Sequence, residues 1–475
     1  MKRNHLLLLT ALIFFTVFAR AQEKESFSAN DFGVRGDGTT LNTKMIQQAI
    51  DEAARASWNT KVYFEPGVYL TGSIFIKKNV TLYIGKGVTL LGSQDIKDYP
   101  EMPTRVAGIE MTWPAALINI YKQTDAGITG EGTIDGDGKV FWDSYWALRK
   151  IDEPRGLRWA SDYDAKRPRL IQIFDSSNVK FGGGLTLKRS GFWTVHICYS
   201  HDVTVDGVVI RNNEGGHGPS TDGIDIDSSK KILIEHADIE ANDDALCLKA
   251  GRDADGLRVN RPTEDVVIRD SIIRNGAAGV TFGSETSGGF RNIEIYGIRT
   301  LSGVPAGILF KSSPMRGGFG EDIRIHDMVM EGTPTVLRMT MNWNPNYSTA
   351  KIPDGMKDVP PYYATLTTPV PEARGIAHFH DIHIWNIKAT GAKAAFDVNG
   401  NPVAPVERVK VDHLDIEAQS AGHITAAKDW TFDDIKLHIA DGSSVDLKDS
   451  ANIIGLPKSG AASKVKAGAN AAYEE

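Results

Sequence analysis

The chain has 475 residues, of which 41% are hydrophobic and 24% charged, with 47 glycines, two cysteines and a formal net charge of −7. That balance belongs to a soluble globular protein with material for a large core, and it excludes a disordered chain and a membrane channel. Two cysteines exclude a disulfide scaffold and a four-cysteine metal cluster, and the acidic balance argues against nucleic acid as a partner.

Met1-Lys2-Arg3 is a short basic start, Leu6 to Phe18 is apolar but for two threonines, and Ala19-Arg20-Ala21 is an A-x-A cleavage signal. Residues 1–21 therefore read as a signal peptide, with export to a periplasm or beyond the cell. The apolar run is too short to span a bilayer, and no later segment is apolar enough to cross one, so no membrane association is expected after cleavage. The mature chain would begin at Gln22 and carry 50 basic against 60 acidic residues.

Asn42 to Arg55 is predicted as the one clear helix, with Ile46, Ile50 and Ala53 or Ala54 on one face. Ahead of a repeating body it would cap the open end of the core. From Asn79 onward, short Val/Ile-rich strands alternate with Gly, Asn, Asp and Ser. They include Asn79–Ile84, Ala126–Ile134, Asn178–Leu187, Asp202–Arg211, Lys231–Ile239, Asp265–Ile273, Asn292–Thr300, Asp322–Met328, Asp381–Ile387 and Arg408–Ile416. The central ones share a grammar, an Asn or Asp followed by an alternating β-branched strand and a second short strand. Their starts at 178, 202, 231, 265, 292 and 322 are spaced by 24 to 34 residues. Such a period predicts an all-β solenoid rather than a sandwich or a propeller, whose strands follow different rules. Residues 22–458 read as a single solenoid domain. The long excursions Ile151–Arg169 and Asn342–Glu372 read as loops walling a cleft. The stretch 459–475, rich in Ala, Gly, Ser and Lys, reads as a mobile tail.

Chemistry concentrates between His217 and Arg316. Ser220-Thr221-Asp222-Gly223 precedes Asn242-Asp243-Asp244 by about one coil, so the carboxylates are expected one rung apart on the same face. Any single Asp here is also a common turn former. Adjacent Asp243 and Asp244 are harder to assign to structure alone, because their repulsion brings no structural gain, and close carboxylates raise the pKa of one of them. A protonated acid beside an ionised base is the pairing that glycosidic bond hydrolysis needs.

At this point the sequence resembles the polygalacturonases and related pectin hydrolases of glycoside hydrolase family 28. Asp31-Phe-Gly-Val-Arg-Gly-Asp-Gly-Thr39 is similar to the opening shared by pectin-degrading solenoids. Ser220-Thr221-Asp222 matches the family's Asn-Thr-Asp motif and Asp243-Asp244 its Asp-Asp motif. Lys249–Gly256, Gly283–Gly289 and Arg316-Gly317-Gly318 resemble the bacterial, exo-acting branch. The resemblance implies a right-handed parallel β-helix and hydrolysis with inversion of the anomeric carbon. It makes Asp243 the general acid and Asp222 and Asp244 the bases that hold the attacking water. The implied partner is an acidic plant cell-wall polysaccharide, pectin; no metal or cofactor is expected.

Three positions depart from the pattern: Ser220 stands for the motif's asparagine, Ala278 for the histidine of Gly-His-Gly, and Leu309 for the arginine of Arg-Ile-Lys. Losing a bidentate arginine weakens the expectation of simple polygalacturonate cleavage and brings rhamnogalacturonan forward as an alternative backbone. Lys311 is the leading carboxylate anchor, with Arg252 and Arg316 as further contacts and Trp193 and Trp343 as stacking platforms. His217 is a stand-in for the missing imidazole or a plain turn residue, and Cys198 and Cys247 read as buried thiols. Two other classes share this architecture. A polysaccharide lyase needs a Ca²⁺ site and a basic residue, which the acidic trio does not supply. A non-catalytic binding solenoid would tolerate loss of Asp243.

Overall fold

The computed structural model describes residues 26–56 and 60–457; the expected signal peptide lies outside the described residues, as does the expected tail from Ser459. The body is a right-handed parallel β-helix, in which thirty strands join in one continuous hydrogen-bonded system. Three sheets run its length. One stacks Val80–Tyr83, Gly127–Thr129, Ser177–Gly182, His201–Asp206 and Lys230–Glu235, and continues through Thr263–Asn275, Phe290–Gly303, Phe319–Glu331 and the long C-terminal strands. A second runs through Val88–Gly92, Thr133–Asp135, Thr186–Lys188, Val209–Arg211 and Asp238–Glu240. The third carries the site: Ile118–Tyr121, Ile171–Phe174, Val195–Cys198, Ile224–Asp227, Leu246–Lys249, Val280–Phe282, Ala306–Lys311 and Thr335–Thr340.

The strand grammar has a backbone cause. Asn178, Asp202, Lys231, Asp265, Asn292 and Asp322, the starts of the sequence period, all hold φ between 50° and 55°. Asn and Asp tolerate this left-handed conformation better than other L-residues. It turns the chain one residue before each inward-facing aliphatic. Those aliphatics then stack in register as Val179, Val203, Ile232, Val266, Ile293, Ile323, Ile382 and Val409, all buried. Each contributes about 1.5–3 kcal/mol of burial. The turn side chains also bond across rungs, as Asn292 Nδ2 donates to Asp265 Oδ1 at 2.6 Å.

The expected capping helix is α1, Thr43–Ala56. Ile46, Ala49, Ile50 and Ala53 are all fully buried. Gln47 completes the cap, donating to the Phe75 carbonyl at 3.0 Å and accepting from its amide at 2.8 Å, so both backbone groups of Phe75 are satisfied. α1 is not the only long helix. A second, α2 over Lys139–Asp152, buries Phe141, Trp142 and Tyr145 and leads into the first long excursion. The one antiparallel pair of strands among the described residues, Glu101–Val106 with Ile109–Pro114, folds over the outer face of the third sheet. There Thr104 Oγ1 accepts from Gln172, and Arg105 pairs with Asp227 at 2.9 Å. Cys198 and Cys247 are free, buried thiols.

Candidate active site

The strands Ile224–Asp227 and Leu246–Lys249 pair with Ile224 opposite Leu246, an offset of 22 residues. Asp222 is therefore the rung partner of Asp244, and Asp243 stands one residue earlier. The backbone confirms the alignment: Thr194 N–H donates to the Asp222 carbonyl and Gly223 N–H to the Asp244 carbonyl, both at 2.9 Å. A carboxylate oxygen of Asp222 and one of Asp244 lie within 4.8 Å of each other. Asp222 and Asp244 are 3% and 1% exposed, while Asp243 is half-buried.

All three line one cavity of about 270 Å³, together with Lys249, Glu285, Lys311, Trp193 and Trp343. Two lysines hold the acids in place. Lys311 Nζ donates to Asp244 Oδ2 at 2.6 Å. Lys249 Nζ lies 3.3 Å from Asp222 Oδ2, 3.4 Å from Asp225 Oδ1 and 3.6 Å from Glu285 Oε2. Each ammonium also sits 4.7 Å from the centroid of a tryptophan ring, Lys249 over Trp193 and Lys311 over Trp343. This is a favourable contact for a desolvated cation. The ring face that each tryptophan turns to its lysine is thus already occupied, and Trp193 is only 3% exposed.

Burial and like charge split the carboxyls into two kinds. Burial, then Asp225, pushes Asp222 well above the ordinary carboxylate range; burial, then Asp244, raises Asp243. Burial lifts Asp225 to about 7. Burial also works on Glu285, but Lys249, Arg316, Lys311 and Arg252 overcome it and hold that group down to about 2. Carboxyls whose neutral form is favoured, beside one held ionised, are an arrangement suited to proton-transfer chemistry.

Asp225 yields a pH prediction. Its pKa is raised on folding from 3.8 to about 7, so the folded chain binds a proton that the unfolded chain releases. The stability this gives is complete below the unfolded value and is lost as pH rises toward 7. Asp225→Asn is expected to flatten the fall in urea midpoint between about pH 5 and about pH 7. An unchanged fall in the variant would contradict it.

Arg252 and Arg316 do not reach the cavity. Both are fully buried, and most of their donors bond inside the protein, with Nη2 of Arg316 left without a partner among the described residues. Arg252 bonds the Tyr163 hydroxyl at 3.0 Å and the Tyr347 carbonyl at 2.8 Å, and Arg316 bonds Asp253 and the Ser284 carbonyl. Arg252 N–H also donates to the Gly108 carbonyl, so one residue ties the antiparallel hairpin to the loop that carries Trp343 and Tyr347. His217 is held by Asn242 at 3.2 Å and stacks on Trp146, outside the cavity lining. Ala278 and Leu309, the family's histidine and arginine positions, form a buried apolar cluster with Ala306.

Residues absent from the sequence-based set complete the wall. Asp162, Arg149, Arg158 and Tyr347 all line the cavity, and three of them come from the two excursions read as walls. Asp162 accepts from Arg158 at 2.9 Å, Arg167 at 2.7 Å and Ser220 Oγ at 2.8 Å. The only sequence signal for them was the length of those excursions.

A parallel β-helix with paired acids at one turn of its third sheet belongs among the polysaccharide-processing solenoids. The family model "Glycosyl hydrolases family 28" matches residues 71–359, and a rhamnogalacturonase A/epimerase, pectate lyase-like model matches residues 26–100. The chain belongs to glycosyl hydrolase family 28. It is 32% identical over 345 residues to a probable polygalacturonase of Vitis vinifera, covering 71% of this chain and 66% of that one. It is 23% identical to an exo-poly-alpha-D-galacturonosidase of Dickeya chrysanthemi, covering 78% and 63%. The chain thus spans somewhat less than two thirds of each relative's length. An exopolygalacturonase structure from Thermotoga maritima aligns with a TM-score of 0.70 and 25% identity, over 89% of this chain and 92% of that one.

Proposed function

We propose that the protein hydrolyses the galacturonic-acid-containing backbone of pectin with inversion. Asp243 is the general acid that protonates the leaving oxygen, Asp244 takes the proton of the attacking water, and Asp222 helps to hold that water in place. The observation that carries this is the pairing of Asp222 and Asp244 on adjacent rungs, with carboxylate oxygens within 4.8 Å of each other. One water can accept or donate hydrogen bonds to both across such a gap. Lys311 holds Oδ2 of Asp244, whereas Oδ1, which is buried, has no hydrogen-bond partner among the described residues. The raised pKa and half-exposed position of Asp243 suit proton delivery to a bond outside the cluster. The same lysines that order Asp222 and Asp244 supply their counter-charge. The family and the names of its relatives support pectin as the substrate.

The test is incubation with homogalacturonan and, separately, with rhamnogalacturonan. Expected products from homogalacturonan carry new reducing ends, one water heavier per bond broken, in the inverted anomeric form by proton NMR. An unsaturated, ultraviolet-absorbing product would instead indicate a lyase. Products from rhamnogalacturonan alone would move the substrate to that backbone.

A further inference from the structure

Within the cavity, neither lysine is free for a ligand. Lys311 is paired with Asp244, and Lys249 faces Asp222, Asp225 and Glu285. Leu309 sits in an apolar cluster and offers no charge. Five acidic side chains line the cavity: Asp162, Asp222, Asp243, Asp244 and Glu285. An anionic sugar entering there needs cationic donors from elsewhere, and two are present, Arg149 in the last turn of α2 and Arg158 on the segment that follows it.

Their surroundings set them up as receptors. Arg158 makes one ion pair, to Asp162, and its Nε is buried with no hydrogen-bond partner. Its guanidinium lies 5.2 Å from the Tyr347 ring centroid, which fixes its plane. Asp162 itself is braced by Arg167 and by Ser220, two residues before Asp222. Burial raises the pKa of Asp162, but Arg158 and Arg167 hold it at about 2, so it stays ionised. Arg149 lies over Trp146 at 5.4 Å, and its Nε pairs with Glu153 at 3.2 Å. Glu153 is half-exposed, so solvent screens that pair. A chain of contacts thus runs from the catalytic turn through Ser220 and Asp162 to a planar, incompletely bonded guanidinium at the cavity wall. Guanidinium forks recognise carboxylates in two-point fashion, which ammonium groups cannot do.

We propose that Arg158, assisted by Arg149, is the carboxylate receptor of this site. It selects uronates with a free carboxylate over their methyl esters and over neutral sugars. The proposal rests on the reading of the chain as a pectin hydrolase, and the test separates the two. Binding of trigalacturonate and of its methyl ester is measured by calorimetry on the full mature chain, alongside hydrolysis of both. The wild type is expected to bind the free acid more tightly, and Arg158→Gln to lose roughly tenfold or more of that preference. Arg158→Lys, which keeps a charge on Asp162 but not the fork, is expected to recover only part. Circular dichroism melting monitors folding. Should Arg158→Gln not fold, Arg149→Gln carries the test, with a smaller loss of the same preference expected. An unchanged preference in the folded variants overturns the receptor while leaving the hydrolase standing. Arginine-dependent binding without released reducing ends overturns the hydrolase while leaving the receptor. No binding of trigalacturonate by the wild type overturns both.

Discussion

Asp243→Asn is expected to fold as the wild type does and to release reducing ends about 10²- to 10⁴-fold more slowly. The structural cost is small, for two reasons. The carboxyl is raised in pKa by burial and by Asp244, which favours its neutral form, and a neutral amide resembles that form. Its one local bond, accepted by Oδ1 from the Asp244 amide at 2.9 Å, can be kept by an amide oxygen. The chemical cost is large, because the amide has no proton to give the leaving oxygen. Initial rates on polygalacturonate with melting curves measured in parallel check it. Retained turnover would assign the proton to another group; a collapse in melting temperature would make the residue structural.

Lys249→Met is expected to be the most damaging single change in the site for stability. The methionine keeps the stem that packs on Trp193 but removes the charge facing Asp222, Asp225 and Glu285. Breaking a buried ion pair from one side costs about 3–5 kcal/mol, because the remaining charge is left without a partner. The sign with pH follows. Without the ammonium, the three carboxyls become easier to protonate, so the folded variant gains protons relative to the unfolded chain as pH falls. The penalty should be greatest near neutrality and shrink toward pH 5 or so. Urea unfolding at the two pH values measures this. A penalty independent of pH would show that the lysine stabilises by packing instead.

Much of the architecture was legible in the order of residues, because one physical constraint recurs at every rung. A left-handed residue must precede each inward aliphatic, and Asn or Asp is the cheapest choice, so the repeat is written in composition. Lys231 and Arg408 adopt the same conformation without the usual side chain, which marks how far context overrides that preference. The acidic trio was also legible, but its pairing was off by one residue. Spacing placed Asp243 a coil after Asp222, whereas strand register makes Asp244 the partner; a period with variable corners does not define register. α2 was missed because Gly138 gives it no side-chain cap and its aromatics obscure the helical period. Arg252 and Arg316 sat in motif-like stretches, yet the carbonyls and carboxylates that take up their donors lie on distant segments. Lys249 stood within one of those stretches and was not singled out, since its importance comes from three acids brought together only by coiling.

The antiparallel hairpin and the Trp343 loop meet at one arginine, Arg252, which holds a carbonyl of each. Two rims of the cleft are therefore pinned to a common post inside the protein. An opening that depended on swinging either rim aside would have to break the same buried bonds. Substrate entry and product escape should then proceed through a mouth of constant shape, with turnover limited by sugar exchange or bond cleavage rather than by any gate.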